Sequence, residues 1–391
     1  MTDLLLVCLG ATAGLRAAEA ELEASLERAG ASVARVTAAP PREVRTFMAT
    51  DLSWALAARR AAMSGLTRSR PRAILYSTTT AALLWPRPGA IRFDALAAET
   101  RPGRHGLWQR PVEARRLQQA PLLVPQSPEE LYGPSVVVPI PVEPSGPTGE
   151  RDVAAMTYGA HWRKKGLDRV LAAWSMAEGS APVVPPATIE APAGARVVAP
   201  AGAPGELVVT GVDASLVAAA WAAGGGAGGL PASVRVTGPL APVAYRALLR
   251  RARVFVTAPR REDYGVAQLE ALADGCALVT TVAPGPYAAL PLARALDPRL
   301  VVEDAADVTG LAWALRTALE ATTCTDERLP ATGEATAAQD ERRAPMGVGG
   351  VDAHQHSTSS YASRAAQKLA PFSRAAVDRI VAEELLPRLL G

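Results

Sequence analysis

Twice along this chain, short apolar runs alternate with stretches of helical period, and a Pro/Gly-rich break parts the two series. In the first series, residues 4–9, 31–36, 73–76, 90–93, 122–125 and 136–140 read as strands, with helical stretches between most of them. The first of those stretches carries Leu15, Ala18, Leu22 and Leu26 on one face and stops at Gly30. The break, PIPVEPSGPTGERD at 139–152, has the composition of a linker. The alternation then restarts with strands at 153–158, 206–210, 234–237, 254–257 and 277–282. Helices are expected at 166–177, 214–223, 242–251 and from residue 265. Strands alternating with helices make a parallel sheet covered on both faces. The expectation is an α/β chain with two Rossmann-like domains facing across a cleft, with ligands outside the carboxyl ends of the strands.

The chain's 391 residues are enough for two domains. Its hydrophobic content of 49% and mean hydropathy of +0.10 are those of a soluble protein, and no apolar run reaches membrane-span length. A net charge of +3 does not single out nucleic acid as a partner, and none is expected. In MTDLLLVCLGATAG the acidic Asp3 precedes a short apolar run, which reads as a first strand rather than a signal peptide. Cys8, Cys276 and Cys324 are far apart, which points to a reducing compartment and a cytoplasmic location. Segments 179–205 and 322–360 read as surface insertions. His354 and His356 in the second lack the company of a metal site, and no metal is expected. The last stretch, from Ser373, is an amphipathic helix with Ser373 as its N-cap.

The chemistry concentrates in REDYGVAQLEALADG, residues 261–275. Glu262 follows a strand at its carboxyl end, Tyr264-Gly265 turns the chain, and a helix begins. The free N–H groups and dipole of a helix start favour an anion such as a diphosphate. Glu262 on the turn and Glu270 inside the helix can each accept hydrogen bonds from sugar hydroxyls. The plain alternative is a dipole-favoured Glu and a solvent-facing one. Basic residues are nearly all arginine; the three lysines are Lys164, Lys165 and Lys368, and Asn is absent. Two adjacent lysines in such a chain mark either a chemical demand or a solvated helix start.

This segment, extended to REDYGVAQLEALADGCALVTT, resembles the E-x7-E segment of family 4 retaining glycosyltransferases of the group 1 type, commonly E-x-F-G-x-x-x-x-E-A-x-A-x-G-x-P-V-V. Glu262, Gly265, Glu270, Ala271, Ala273 and Gly275 match. VRVTGPLAPVAYRALLRRARVFVTAP and YGAHWRKKGLDRVLAAW resemble the family's preceding segments in order and spacing; the N-terminal half matches more weakly. The resemblance implies a GT-B fold. Residues 1–143 would form the acceptor domain and 144–372 the nucleotide-sugar domain, with 373–391 a helix crossing back. It also implies that Lys165 contacts the diphosphate, Glu262 the transferred sugar and Glu270 the ribose, with the amides of Tyr264, Gly265 and Val266 lining phosphate or sugar. The activity implied is hexosyl transfer from a nucleotide sugar, as co-substrate, with retention. The acceptor, a glycan, a lipid-linked sugar or a small molecule, stays open. No cofactor or metal is implied, and no Asp-x-Asp occurs.

Two positions depart from the family pattern. Its Gly-Arg pair is Gly159-Ala160 here, with Arg163 or Lys164 as the substitute. Its His-Asp pair is Phe93-Asp94, with Asp94 the acceptor contact and His105 the stand-in for the histidine. These departures define a rival, a non-catalytic homologue that binds a sugar nucleotide or partners an active enzyme. A nicotinamide-dependent dehydrogenase is a weaker rival, since LGATAG lacks G-x-G-x-x-G. The basic run RPGRHGLWQRPVEARR, with Trp108, is either a solvated loop and helix face or a contact for a phosphorylated acceptor or for anionic lipid, a peripheral membrane contact.

Overall fold

A computed structural model describes residues 2–42, 46–128, 133–147, 149–179, 205–326 and 360–391. Most of segment 179–205, His354, His356 and the greater part of 322–360 lie outside these residues.

The first half is a five-stranded parallel sheet in the order β2-β1-β3-β4-β5. Its strands are β1 (Leu4–Cys8), β2 (Val33–Thr37), β3 (Ala73–Tyr76), β4 (Ala90–Phe93) and β5 (Leu123–Pro125). The second half is a six-stranded parallel sheet in the order β11-β10-β9-β6-β7-β8. It is built from β6 (Val153–Tyr158), β7 (Leu207–Thr210), β8 (Val234–Gly238), β9 (Ala252–Thr257), β10 (Ala277–Thr281) and β11 (Val301–Val302). Central strands such as β1 and β10 are buried along their whole length, as expected of strands covered on both faces. Each sheet is sandwiched between two apolar clusters, one per face.

Two expectations need correction. Residues 136–140 form no strand. Val136 and Val138 are buried, and their amides donate to Leu123 and Pro125, but Pro134, Pro139 and Pro141 supply no amide hydrogens and the ladder stops at a single bridge, Leu123 to Ser135. The segment from 322 does not begin as a loop: the helix Val308–Asp326 runs through its first residues, and Ser360 caps the helix Tyr361–Leu369 at its other end.

The C-terminal segment returns to the first sheet. Ser373 caps the helix Arg374–Ile380 by accepting from the Ala376 amide; a π-helical turn, Val381–Leu385, and the helix Leu386–Leu390 follow. Val377, Val381, Leu385 and Leu386 are buried in the cluster that holds Leu4, Leu6, Leu22 and Leu26. Asp378 accepts from Ser25 at 2.5 Å and Arg28 at 2.7 Å. Among the described residues no helix is long and apolar enough to cross a membrane.

Candidate functional site

In the second sheet the chain runs from β6 outward through β7 to β8, then returns to β9 on the other side of β6. The crevice between the carboxyl ends of β6 and β9 is therefore a switch point, where ligands of open α/β sheets bind. After β6 the chain passes Gly159-Ala160, enters the left-handed region at His161, and makes the short helix Trp162–Lys165. After β9 it runs through 258–265 into the helix Val266–Ala273. Adjacent strands thus bring together loops that are a hundred residues apart.

Glycine makes the approach possible. Gly166 sits at φ +65, and a Cβ there would meet the Ala258 carbonyl oxygen at 1.7 Å. The Arg260 amide donates to the Lys164 carbonyl at 2.8 Å. The Arg260 guanidinium donates to both oxygens of Asp168, at 2.7 and 2.6 Å, and to the Arg163 carbonyl. Burial pushes the Asp168 carboxyl up, but Arg260 outweighs it and holds the group below its ordinary range.

Glu262 is buried in this junction. One of its oxygens accepts from Lys165 Nζ at 2.6 Å and from Gln268 Nε2 at 3.0 Å. Its amide donates to Pro284 of the loop after β10. Lys164 pairs with Asp263, which also accepts from Arg261 Nε at 2.7 Å. Burial raises the Asp263 carboxyl, and these two cations more than reverse the effect. Arg261 reaches the other half, donating to Glu99 at 3.0 Å; a cavity of about 410 Å³ opens there between Glu99 and Pro128 on one side and Arg261 and Gly285 on the other.

The helix Val266–Ala273 starts at Gly265, at φ +91, with Tyr264 buried beside it and its hydroxyl accepting from the Ile140 amide at 2.9 Å. Val266 opens the helix, so the amides of its first turn lack helical acceptors. Glu270 is on the helix flank, where Arg246 donates to it at 3.3 Å. Burial raises the Glu270 carboxyl; Arg246 opposes this and Asp274 adds to it. Arg246 is itself held by Asp274 at 2.8 Å and the Glu143 carbonyl at 2.7 Å. Tyr158 and Tyr245, edge to face with centroids 5.8 Å apart, lie within electrostatic reach of Glu270, and the buried Tyr245 hydroxyl has no hydrogen-bond partner among the described residues.

The structure thus joins Glu262, Lys165, Lys164 and Tyr264-Gly265-Val266 in one junction and places Glu270 on the helix that follows. Arg163 is exposed and stacks over Trp162 at 4.7 Å. Asp94 follows β4 at its carboxyl end. Its surface is open, but it sits deep among protein atoms, and that desolvation, with Asp263 across from it, raises its carboxyl; Lys164 opposes the rise. His105 is set on the exposed turn Gly103–Gly106, which packs on the helix Phe47–Ser69.

Sequence reading missed Gln268, Arg246 and the Arg260–Asp168 pair, which hold the proposed groups in place. It also missed Glu19, fully buried, which accepts from the Leu9 amide at 2.8 Å and the Ser77 hydroxyl at 2.6 Å and so ties the loops after β1 and β3. Helical spacing alone gave no signal for these contacts. Among the described residues no three His, Cys, Asp or Glu side chains gather as metal ligands.

Two parallel α/β sheets arranged this way are the GT-B fold of glycosyltransferases. Residues 193–321, which include both Glu262 and Glu270, match the family model "Glycosyl transferases group 1". WaaG, a glycosyltransferase involved in lipopolysaccharide biosynthesis, is similar in structure at TM-score 0.61 and 12% identity, covering 97% of this chain and 99% of its own. A sucrose-phosphate synthase from Thermosynechococcus elongatus is similar at TM-score 0.50 and 14% identity, covering 84% and 98%. TarM is similar at 0.52 and 8%, covering 81% and 54%. No curated protein sequence matches the chain. The likeness to these structures is one of fold, and the family match covers residues 193–321.

Proposed function

We propose that the protein is a retaining glycosyltransferase that moves a hexosyl group from a nucleotide sugar to an acceptor hydroxyl. The observation that carries this reading is the Lys165–Glu262 contact at the β6/β9 switch point, with Glu262 inside the segment that matches the group 1 family. In this reading residues 144–372 hold the donor and 1–143 the acceptor.

Donor binding exchanges partners rather than creating charge. Lys165, and Lys164 beside it, turn from Glu262 and Asp263 toward the diphosphate. Glu262 is then free to accept from hydroxyls of the transferred sugar. The amides of Tyr264, Gly265 and Val266 face phosphate or sugar, and Glu270 accepts from the ribose. A cation and a helix N-terminus stabilise the departing diphosphate without reorganising during the reaction. The acceptor proton passes to a donor phosphate oxygen on the same face, so no protein base is assigned. Asp94, across from Asp263 and Lys164, orients the acceptor. His105 is assigned to the same side, and Arg163 to the outer phosphate.

The absent Arg at Ala160 and the Phe at Phe93 favour the second reading, a homologue that binds sugar nucleotides without transferring sugar. Calorimetry with UDP, GDP and ADP, followed by nucleoside diphosphate release from the matching sugar donors, separates the two. Binding with release supports the transferase, and binding without release supports the non-catalytic homologue. No binding to any of them contradicts both and leaves a homologue that partners an active enzyme.

A further inference from the structure

The helix Phe47–Ser69 reverses the usual amphipathic order. The face it lays on the first sheet is small: Ala55, Ala58 and Ala62 are fully buried, and a Cβ on Gly65 would meet Leu5 Cδ1 at 2.7 Å. Trp54 and Leu66 pack partly against that sheet's cluster, while four other large apolar side chains face outward, with Met48 39%, Leu52 42%, Leu56 39% and Met63 50% exposed. At about 100° per residue these four fall within about 80° of arc; Met48, Leu52 and Leu56 follow one another a turn apart, and the exposed Arg59 stands in the same arc between Leu56 and Met63. Trp108 Nε1 donates to the Met48 carbonyl at 3.3 Å, which brings its neighbour Leu107, 62% exposed, to the end of the stripe. Five of the eight large hydrophobic side chains exposed among the described residues are therefore in one patch, and patches of this kind mark interaction sites.

The charge around the patch is mostly of one sign; of its arginines Arg35 is paired with Glu23 at 2.8 Å. Asp51 is the single acid in the 23 residues of the helix, and it is buried in a pair with Arg101 at 2.7 Å. Arg59, Arg60 and Arg68 are exposed on the same helix. Arg60 and Arg68 line, with Arg35 and Arg42, a groove of about 630 Å³ in which Ser53 and Ser64 also take part, and Leu56 of the stripe forms part of its wall. For a chain whose net charge is +3, this concentration is strongly asymmetric.

We propose that this face docks on the surface of a bilayer rich in anionic phospholipid. Arg42, Arg60 and Arg68, with the groove serines, take the lipid phosphates, and Met48, Leu52, Leu56, Met63 and Leu107 enter the boundary between headgroups and acyl chains. Flexible Leu and Met side chains edged by arginine and free of exposed acid are the composition of an interfacial helix. A second copy fits less well, because a two-fold contact would set two cationic faces against each other. The proposal goes beyond sugar transfer and does not depend on it.

Flotation of the full chain with vesicles tests it. Vesicles of phosphatidylcholine containing phosphatidylglycerol should carry at least about tenfold more protein than phosphatidylcholine alone, and about 0.5 M salt should remove most of that difference. Leu52→Glu with Leu56→Glu, and separately Arg60→Glu with Arg68→Glu, should each lower binding about tenfold, since one removes the apolar term and the other the charge term. All four side chains are exposed, so circular dichroism and thermal unfolding should match the parent. Should either pair unfold, Met48→Ser with Met63→Ser tests the same stripe. Protein that stays away from both vesicles, floats equally with both, or keeps full binding in the variants overturns the proposal. So does a dimer in sedimentation that Leu52→Glu with Leu56→Glu splits, which would give the face to a second copy.

Discussion

Lys165 and Glu262 are 97 residues apart in sequence and 2.6 Å apart in space. Burying two charges costs several kcal/mol unless they meet each other, so the pair is held only because each neutralises its partner. A diphosphate offers Lys165 a stronger partner. Lys165→Ala should weaken nucleoside diphosphate binding by about 1.5–3 kcal/mol, the range for a charged hydrogen bond. Calorimetry showing unchanged affinity for every nucleoside diphosphate that binds the parent would remove Lys165 from the phosphate site. Glu270 makes a different prediction, about pH. Its carboxyl is raised on folding, by burial first, so the folded chain holds that proton longer than the unfolded chain does. Unfolding free energy from this group is therefore highest below the unfolded value of about 4.3 and falls as pH rises toward the folded value, levelling beyond it. Glu270→Gln lacks that fall, so the stability of the variant relative to the parent should rise with pH through this window. Urea unfolding of both proteins from acid to neutral pH checks this; a constant difference contradicts it. At this scale the sequence revealed the acids and lysines through their spacing and rarity. It could not show Gln268 or Arg246, because their role rests on contacts between elements.

Among the elements, strands were the most legible. The bounds 73–76, 90–93 and 153–158 hold to the residue, because a buried parallel strand is a short apolar run with polar or turn residues on either side. Residues 136–140 have the same apolar pattern, and their prolines decide against a strand. The helix Phe47–Ser69 escaped the period-based reading because its buried face is Ala and Gly, residues that give a hydrophobic pattern little contrast. The loops of the site depend on glycines whose necessity is visible only in three dimensions. Gly166→Ala requires a side chain at φ +65 where a carbonyl oxygen stands 1.7 Å away, so the β6 and β9 loops must part. A loss of about 2–4 kcal/mol is expected, with a thermal midpoint lower by several degrees. An unchanged midpoint would show that the two loops are not locked together.

The whole molecule is tied by its last residues. The segment after Ser373 fills the first sheet's cluster with Val377, Val381, Leu385 and Leu386, while the Val142 amide of the connecting strap donates to the Phe372 carbonyl at 2.8 Å. Leu385 is fully buried, and Leu385→Ala should cost about 2–5 kcal/mol in chemical unfolding; a cost near zero would mean the segment does not pack on the first sheet in solution. With two sheets held this way, residues from both halves border one cleft, and the central claim is that Glu262 meets the sugar being transferred there. The direct measurement is donor turnover beside nucleoside diphosphate affinity for the parent and Glu262→Gln. The account predicts turnover reduced about a hundredfold with diphosphate affinity within a few-fold of the parent, because the diphosphate lacks the sugar that Glu262 contacts. Turnover equal to the parent's, or diphosphate binding abolished while Glu270→Gln leaves it intact, would contradict that assignment.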